Sequence, residues 1–150
     1  NYLTFAAESI PARSPAYKCA PPIRERDNRE KLWRGLRDGV IDMVVSDHSP
    51  STPTLKTREG GDFMAAWGGI ASLQLSLSAV WTAAAVRSFD LAQVARWMCE
   101  KPAELAGLST RKGRLVPGMD ADFSIFDSGE TFKVSRTAGS LGFSTNRTIR

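Results

Sequence analysis

The sequence predicts an α/β fold with parallel strands, and three observations carry that reading. Met43-Val44-Val45 is a short apolar run with β-branched residues between Gly39 and Pro50, which predicts a buried strand over 41–46. A helical pattern at 27–38 ends at Gly39 and passes to that strand within a few residues. A helix–glycine–strand unit linked so tightly favours a parallel sheet. The strand then ends in Ser46, Asp47 and His48, which are polar, titratable and metal-competent. A buried strand that delivers a carboxylate and an imidazole at its C-terminal end is the arrangement of a (β/α)8 barrel, where chemistry sits on strand ends. The same dipeptide also fits a turn-capping Asp47 beside a surface histidine.

Length and composition bound the reading. A chain of 150 residues is enough for one domain with a core, and falls short of the about 250 of a complete barrel. A hydrophobic share of 42% and a charged share of 24% are those of an ordinary globular protein. The net charge of +4 is modest. Basic residues are scattered, except at 24–37, where acids alternate with them, and this argues against nucleic-acid binding. Cys19 and Cys99 lie in unlike contexts without metal spacing and read as free thiols in a reducing, cytoplasmic compartment. No apolar run reaches the roughly 18 residues of a membrane span, and no basic-then-apolar signal pattern opens the chain. The chain begins without Met, directly in Tyr2-Leu3-Thr4-Phe5, and is expected to be part of something longer.

Taken in order, residues 2–5 read as the tail of a strand, and 6–10 as no more than a helical turn. Pro11 to Pro15 is a loop, and an extended piece at 16–20 ends at Pro21-Pro22. The helix at 27–38 has Asp27 or Asn28 as cap and Leu32, Trp33 and Leu36 as its apolar face, with Gly39 as its stop. A long polar loop at 49–62 has the length of a lid or site wall. In the stretch that follows, Gly68-Gly69 allows close backbone approach, to a ligand or simply within a turn. A helix over 70–86 carries Leu73, Leu77, Val80 and Trp81 at helical spacing. Another over 90–99 has Asp90 as cap and Leu91, Val94, Ala95 and Met98 facing inward, until Lys101-Pro102 breaks it. A short helix at 103–108 has Gly107 near its end. Beyond the Pro117-Gly118 turn, 120–127 and 131–134 alternate polar and apolar residues, as half-exposed antiparallel strands do. The Ser, Thr and Gly content of 135–150 suits disorder.

Four motifs then carry a family resemblance. They are Lys18-Cys19-Ala20-Pro21-Pro22-Ile23-Arg24, Val44 to Pro50, Phe63-Met64 with Ala66-Trp67-Gly68-Gly69-Ile70, and Lys112-Gly113 with Pro117-Gly118-Met119-Asp120-Ala121-Asp122. In order and spacing they resemble the C-terminal part of a cyclic amidohydrolase, over roughly residues 2–134. Within that superfamily the Ser-Asp-His-Ser-Pro run and the Ala-Trp-Gly-Gly-Ile segment are most similar to the allantoinase branch. The other two motifs are shared with hydantoinases and dihydroorotases.

The resemblance implies the C-terminal portion of a metal-dependent (β/α)8 TIM barrel plus strands of a small β-sandwich. In that frame 1–112 supply the end of strand seven, strand eight and the closing helices, 113–134 supply sandwich strands, and 135–150 stay unassigned. It implies a divalent metal pair, zinc or alternatively cobalt, manganese or nickel, held by histidines and a carboxylated lysine upstream. Asp47 is the one ligand of that set expected here, acting also as proton shuttle. It further implies hydrolysis of a cyclic ureide such as allantoin, contacts to that substrate from Ala20, Gly68, Gly69 and His48, and a homo-oligomer, by family a tetramer. A hydantoinase or dihydropyrimidinase, or a non-catalytic assembly protein, are the alternatives. With one histidine in total, residues 1–150 alone are expected to be inert. Asn1, Ser51 and Ala20 depart from residues common in the family.

Overall fold

The computed structural model describes residues 1–56 and 62–132. Helices α1 (Arg26–Arg37), α2 (Pro53–Lys56), α3 (Ser76–Ala85), α4 (Leu91–Ala95) and α5 (Lys101–Leu105) follow in chain order. A π turn at Arg96–Glu100 joins α4 to α5, and single 3-10 turns lie at Ala7–Ser9, Pro15–Tyr17 and Leu73–Leu75.

The helix α1 forms where its apolar spacing predicts, but its start is held differently. Neither Asp27 nor Asn28 caps it. The carboxylate of Glu8 instead accepts the Arg26 N–H at 3.1 and 3.0 Å, placing a distant negative charge at the positive end of the helix. Main-chain N–H groups, its own first and that of Arg26 second, hold the Glu8 carboxyl below its usual range. At the far end Gly39 takes φ +71°, a left-handed conformation that a side chain would strain, and the helix stops.

One core cluster organises the helices. Trp33, Leu36, Val80, Ala84, Phe89, Val94 and Trp97 are buried together. Trp33 stacks on Phe89 at 5.5 Å between ring centroids, and Trp97 meets Phe89 edge-on at 5.0 Å. The Trp33 indole N–H donates to the Leu3 carbonyl at 3.0 Å, so its polar atom is satisfied. Arg87 and Arg37 lie over the Trp33 and Phe89 rings, each at 5.0 Å. Arg87 also grips Glu30 through two nitrogens, at 2.8 and 2.6 Å, tying the end of α3 to α1.

Several expectations are corrected. The helix expected over 70–86 has its α-helical part at Ser76–Ala85, and Leu73, assigned to the apolar stripe, is 62% exposed. Asp90 caps α4 in a reciprocal box with Gln93, as expected. Of the four residues read as inward, however, Leu91 and Ala95 are exposed, while Val94 is buried and Met98 packs against the core. Lys101-Pro102 does not break the helix. The wider π turn before Pro102 removes the demand for a main-chain donor there and relieves the ring's clash with the preceding turn.

No strand forms among the described residues. At 2–5 the Thr4 and Phe5 N–H groups both donate to the Asn1 carbonyl, closing a turn. At 41–46 the Val44 N–H donates to the Trp97 carbonyl, a helical acceptor, and Val45 is exposed. A strand is made by its neighbours' hydrogen bonds, and here the neighbour is a helix. Along 120–127, Phe123 and Ile125 are exposed and unladdered, while Phe126 packs edge-on against Trp81. The expected strand at 131–134 runs past the described residues after Phe132. The two parts of the fourth motif nonetheless meet here. Arg111 and Lys112 pair with Asp120, at 2.9 and 3.1 Å, and Lys112 also pairs with Asp122.

Candidate functional site

The Ile41–Asp47 stretch lines a cavity of ≈ 370 Å³ together with residues 1–5, Ile70 to Ser72 and the inner side of α3. Its walls are mostly apolar, and Asp47 is the carboxylate among the lining residues. Asp47 adopts φ +46°, a left-handed conformation that aspartate tolerates better than most residues. Its side chain is exposed and has no hydrogen-bond or ion-pair partner among the described residues. Tyr2, on the same cavity wall, donates its O–H to the Pro21 carbonyl at 2.8 Å. Desolvation, with Cys19 and Asp47 nearby, pushes its phenol up to about 12.

Asp47 caps no turn among the described residues, while His48 reaches across to the segment that leads into α3. His48 Nδ1 accepts the main-chain N–H groups of Ser72 and Leu73, both at 3.1 Å. A ring nitrogen that accepts carries no proton, so the neutral ring holds its hydrogen on Nε2. Ser72 Oγ closes the link by donating to the Ser46 carbonyl at 2.8 Å. The imidazole is therefore oriented by the segment that leads into α3.

Three of the sequence motifs converge beside this point. The Ser49 N–H donates to the Ile70 carbonyl at 3.1 Å, and the Gly69 N–H to the Lys18 carbonyl at 3.0 Å. A Cβ at Gly69 would overlap the Ser49 side chain and lie 2.8 Å from its carbonyl oxygen, so only glycine permits this crossing. A Cβ at Gly68 would lie 3.8 Å from Lys18 Cε and 4.0 Å from Ala20 Cβ, which puts Gly68 and Ala20 side by side.

The four non-catalytic site residues expected from the sequence thus differ. Ala20 and Gly68 are adjacent, with main-chain N–H and C=O groups unengaged among the described residues. Gly69 has both of its groups engaged inside the chain, its carbonyl accepting from Lys56. His48 is held by one nitrogen with the other open. Ala20, Gly68, Gly69 and His48 do not line the cavity that Asp47 lines. Sequence reasoning missed Lys56, whose ammonium donates to the carbonyls of Lys18 at 2.5 Å, Trp67 at 3.1 Å and Gly69. Burial, helped by the nearby Lys18 charge, pulls that ammonium below the usual lysine range. A lone lysine in a polar loop gives no signal of this.

No group of three or more His, Cys, Asp or Glu side chains that could hold a metal ion gathers among the described residues. Asp47 and the open nitrogen of His48 fall short of a metal centre's donor set. No helix among the described residues is long and apolar enough to cross a membrane.

A profile of the amidohydrolase family matches residues 7–147. The chain belongs to the amidohydrolase family. It is 51% identical to the allantoinase of Streptomyces avermitilis over 92% of its own length and 30% of that protein's. To the allantoinase of Saccharomyces cerevisiae it is 45% identical, over 92% of its length and 29% of the relative's. Among solved structures it is similar to the L-hydantoinase (dihydropyrimidinase) from Arthrobacter aurescens, with a TM-score of 0.75 and 34% identity over 81% of this chain and 27% of that one. The chain spans less than a third of the length of these relatives. The likeness supports the barrel reading of this amidohydrolase chain, while sandwich strands are not formed among its described residues. Amidohydrolases generally depend on divalent metal ions, and these residues alone do not build such a centre.

Proposed function

We propose that the whole protein to which these residues belong is an allantoinase-type hydrolase. It opens the cyclic amide of allantoin with water to give allantoate, a step of purine (ureide) catabolism. The observation that carries this is the identity of 51% and 45% to proteins named allantoinase, against 34% to the hydantoinase structure. In this reading residues 1–112 close the barrel, 113–134 give sandwich strands, and a binuclear zinc centre with a carboxylated lysine is completed by ligands outside residues 1–150. The homo-oligomer and the cytoplasmic placement rest on the same resemblance and on two free cysteines.

The residue roles in this reading come from the family resemblance, and parts of the local geometry support them. Asp47 has no competing partner among the described residues and stands at the wall of an apolar cavity, so its carboxylate is free to accept a proton. It takes the proton of the attacking water and delivers it to the ring nitrogen that leaves. His48, fixed through Nδ1, offers its Nε2–H as a donor. The open main-chain groups of Ala20 and Gly68 match the alternating donors and acceptors of a ureide.

Steady-state assays of the whole protein on allantoin, hydantoin and dihydrouracil test the reading. The expected result is a kcat/KM for allantoin at least about tenfold above the others, because a site built to pair a polar substituent rejects rings that lack it. Preference for hydantoin or dihydrouracil would move the protein to the hydantoinase reading. Inactivity on all three, with metal present, would favour a non-catalytic assembly role.

A further inference from the structure

The stretch from Met64 to Gly69 is held by two ammonium groups. Lys18 Nζ donates to the carbonyls of Met64 at 3.1 Å and Ala66 at 2.8 Å. Lys56 Nζ donates to those of Trp67 and Gly69, and back to the Lys18 carbonyl at 2.5 Å. An ammonium has three donors and no acceptor, so Lys56 is fully used. Neither lysine has a carboxylate partner among the described residues; main-chain carbonyls accept from both ammonium groups. Two further bonds complete the clasp. The Trp67 N–H donates to the Leu55 carbonyl at 2.9 Å, and the Gly69 N–H to that of Lys18.

The consequence is geometric. Gly68 lies between the gripped carbonyls of Trp67 and Gly69, yet its own main-chain groups are unengaged among the described residues. The same clasp sets it beside Ala20. Lys56 sits on α2, a single turn within the long polar loop, so one side chain joins that loop, the Lys18–Ala20 stretch and the Gly68-Gly69 stretch. We infer that Lys56 and Lys18 are positioning residues that hold the main-chain groups of Gly68 and Ala20 in register for the substrate. This rests on the reading that the whole protein opens a cyclic amide. The lysines themselves do not touch the substrate; they fix what does.

The test uses the whole protein, with Lys56→Met and Lys18→Met beside the unaltered form. Methionine keeps much of the apolar stem and removes the charge and the donors. Lys56→Met is expected to raise KM for the preferred cyclic amide by about tenfold or more, with kcat within about threefold and metal content unchanged, since lost substrate positioning shows in KM. Lys18→Met, which breaks fewer of these bonds, should raise KM less. Lys56→Arg should recover part of the loss, which a purely steric role for the stem would not require. Hydrogen exchange gives a second readout independent of turnover: the Trp67 and Gly69 amides should lose protection in Lys56→Met while those of α1 keep theirs. A folded Lys56→Met protein with unchanged KM overturns the positioning role. Unchanged exchange at Trp67 and Gly69 overturns the clasp itself, even if the protein acts on none of the three substrates. Activity of the unaltered protein on none of them would sink the functional reading separately.

Discussion

The helical region and the loop region of this chain are stabilised by different physics. α1 and the α3–α5 run close on each other through seven buried side chains, three of them aromatic. The segments 46–56 and 62–73 are held by hydrogen bonds: two to His48, one between Ser49 and Ile70, and the lysine clasp. Burial is non-directional and contributes stability in bulk, whereas hydrogen bonds contribute little net stability but fix direction. One region holds the fold; the other orients His48 and places Gly68 beside Ala20. Changes in the first should lower stability ahead of catalysis, and changes in the second should do the reverse.

The largest effect that sharpens this contrast is expected at Trp33. Trp33→Ala in the whole protein should cost about 3–5 kcal/mol, the range for removing a buried Trp, because it empties the centre of the cluster and orphans the bond to the Leu3 carbonyl. Chemical denaturation measures it, and kcat per folded molecule should hardly change. A loss below about 1 kcal/mol would show that the cluster is not the stabilising centre.

Asp47→Asn should act on the opposite quantity. Shape is kept and the proton-accepting charge is lost, so kcat should fall by at least about 10²-fold, the low end for a positioned acid or base. KM and the denaturation midpoint should move little. Activity within a few-fold of the unaltered protein at full metal content would return Asp47 to a turn-forming role.

A pH series probes the join between α1 and α3. Arg87, and less so Arg29, hold the Glu30 carboxyl down to about 2 from its ordinary 4.5. A depressed carboxyl stabilises the fold fully above its unfolded value, and that contribution fades as pH falls from about 4.5 to about 2. The unaltered protein should therefore be more stable than Glu30→Gln at pH 7, with the gap shrinking through that window. Because Glu30 is about a third exposed, solvent and salt should moderate the gap. A gap that stays constant with pH would show that the ion pair is not its source.

The smallest effect is expected at the cap of α4. Asp90→Ala should cost about 1 kcal/mol, as loss of such caps does, and should leave kinetics untouched. Thermal denaturation gives the value, and no change would mean that neighbouring main-chain bonds replace the cap.

How much of this was legible in the sequence divides along the same line. The Leu32-Trp33-Leu36 face, the Gly39 stop and the Asp90 cap follow from spacing and local chemistry, and the structure has them. Three features were hidden because they depend on distant partners: Glu8 at the start of α1, His48 at the lead into α3, and the carbonyls around Lys56. The strand expected at 41–46 is not formed among the described residues for a related reason: an apolar pattern states that a segment wants a sheet, not that a neighbouring strand is there to pair with it. Pro102 misled because a proline's effect depends on the turn before it, and composition does not report a π turn. In the site, Asp47 was visible as a carboxylate after an apolar run, whereas the difference between Gly68 and Gly69 lies in which carbonyls and donors each meets.

The grip of Arg87 on Glu30 also bears on how the chain is made. Those residues are 57 apart in sequence, and Trp33 is farther still from Trp97. During synthesis, α1 therefore emerges before the α3–α5 side chains that complete the burial of its apolar face, and twelve residues of isolated helix are marginal in water. It must wait in the ribosomal queue, exposed to proteases and chaperones, until the α3–α5 segment follows. Nascent chains halted before Arg87 should be cut readily within α1, and chains extended beyond Leu105 should resist; equal cleavage at both lengths would show that α1 finds an earlier partner.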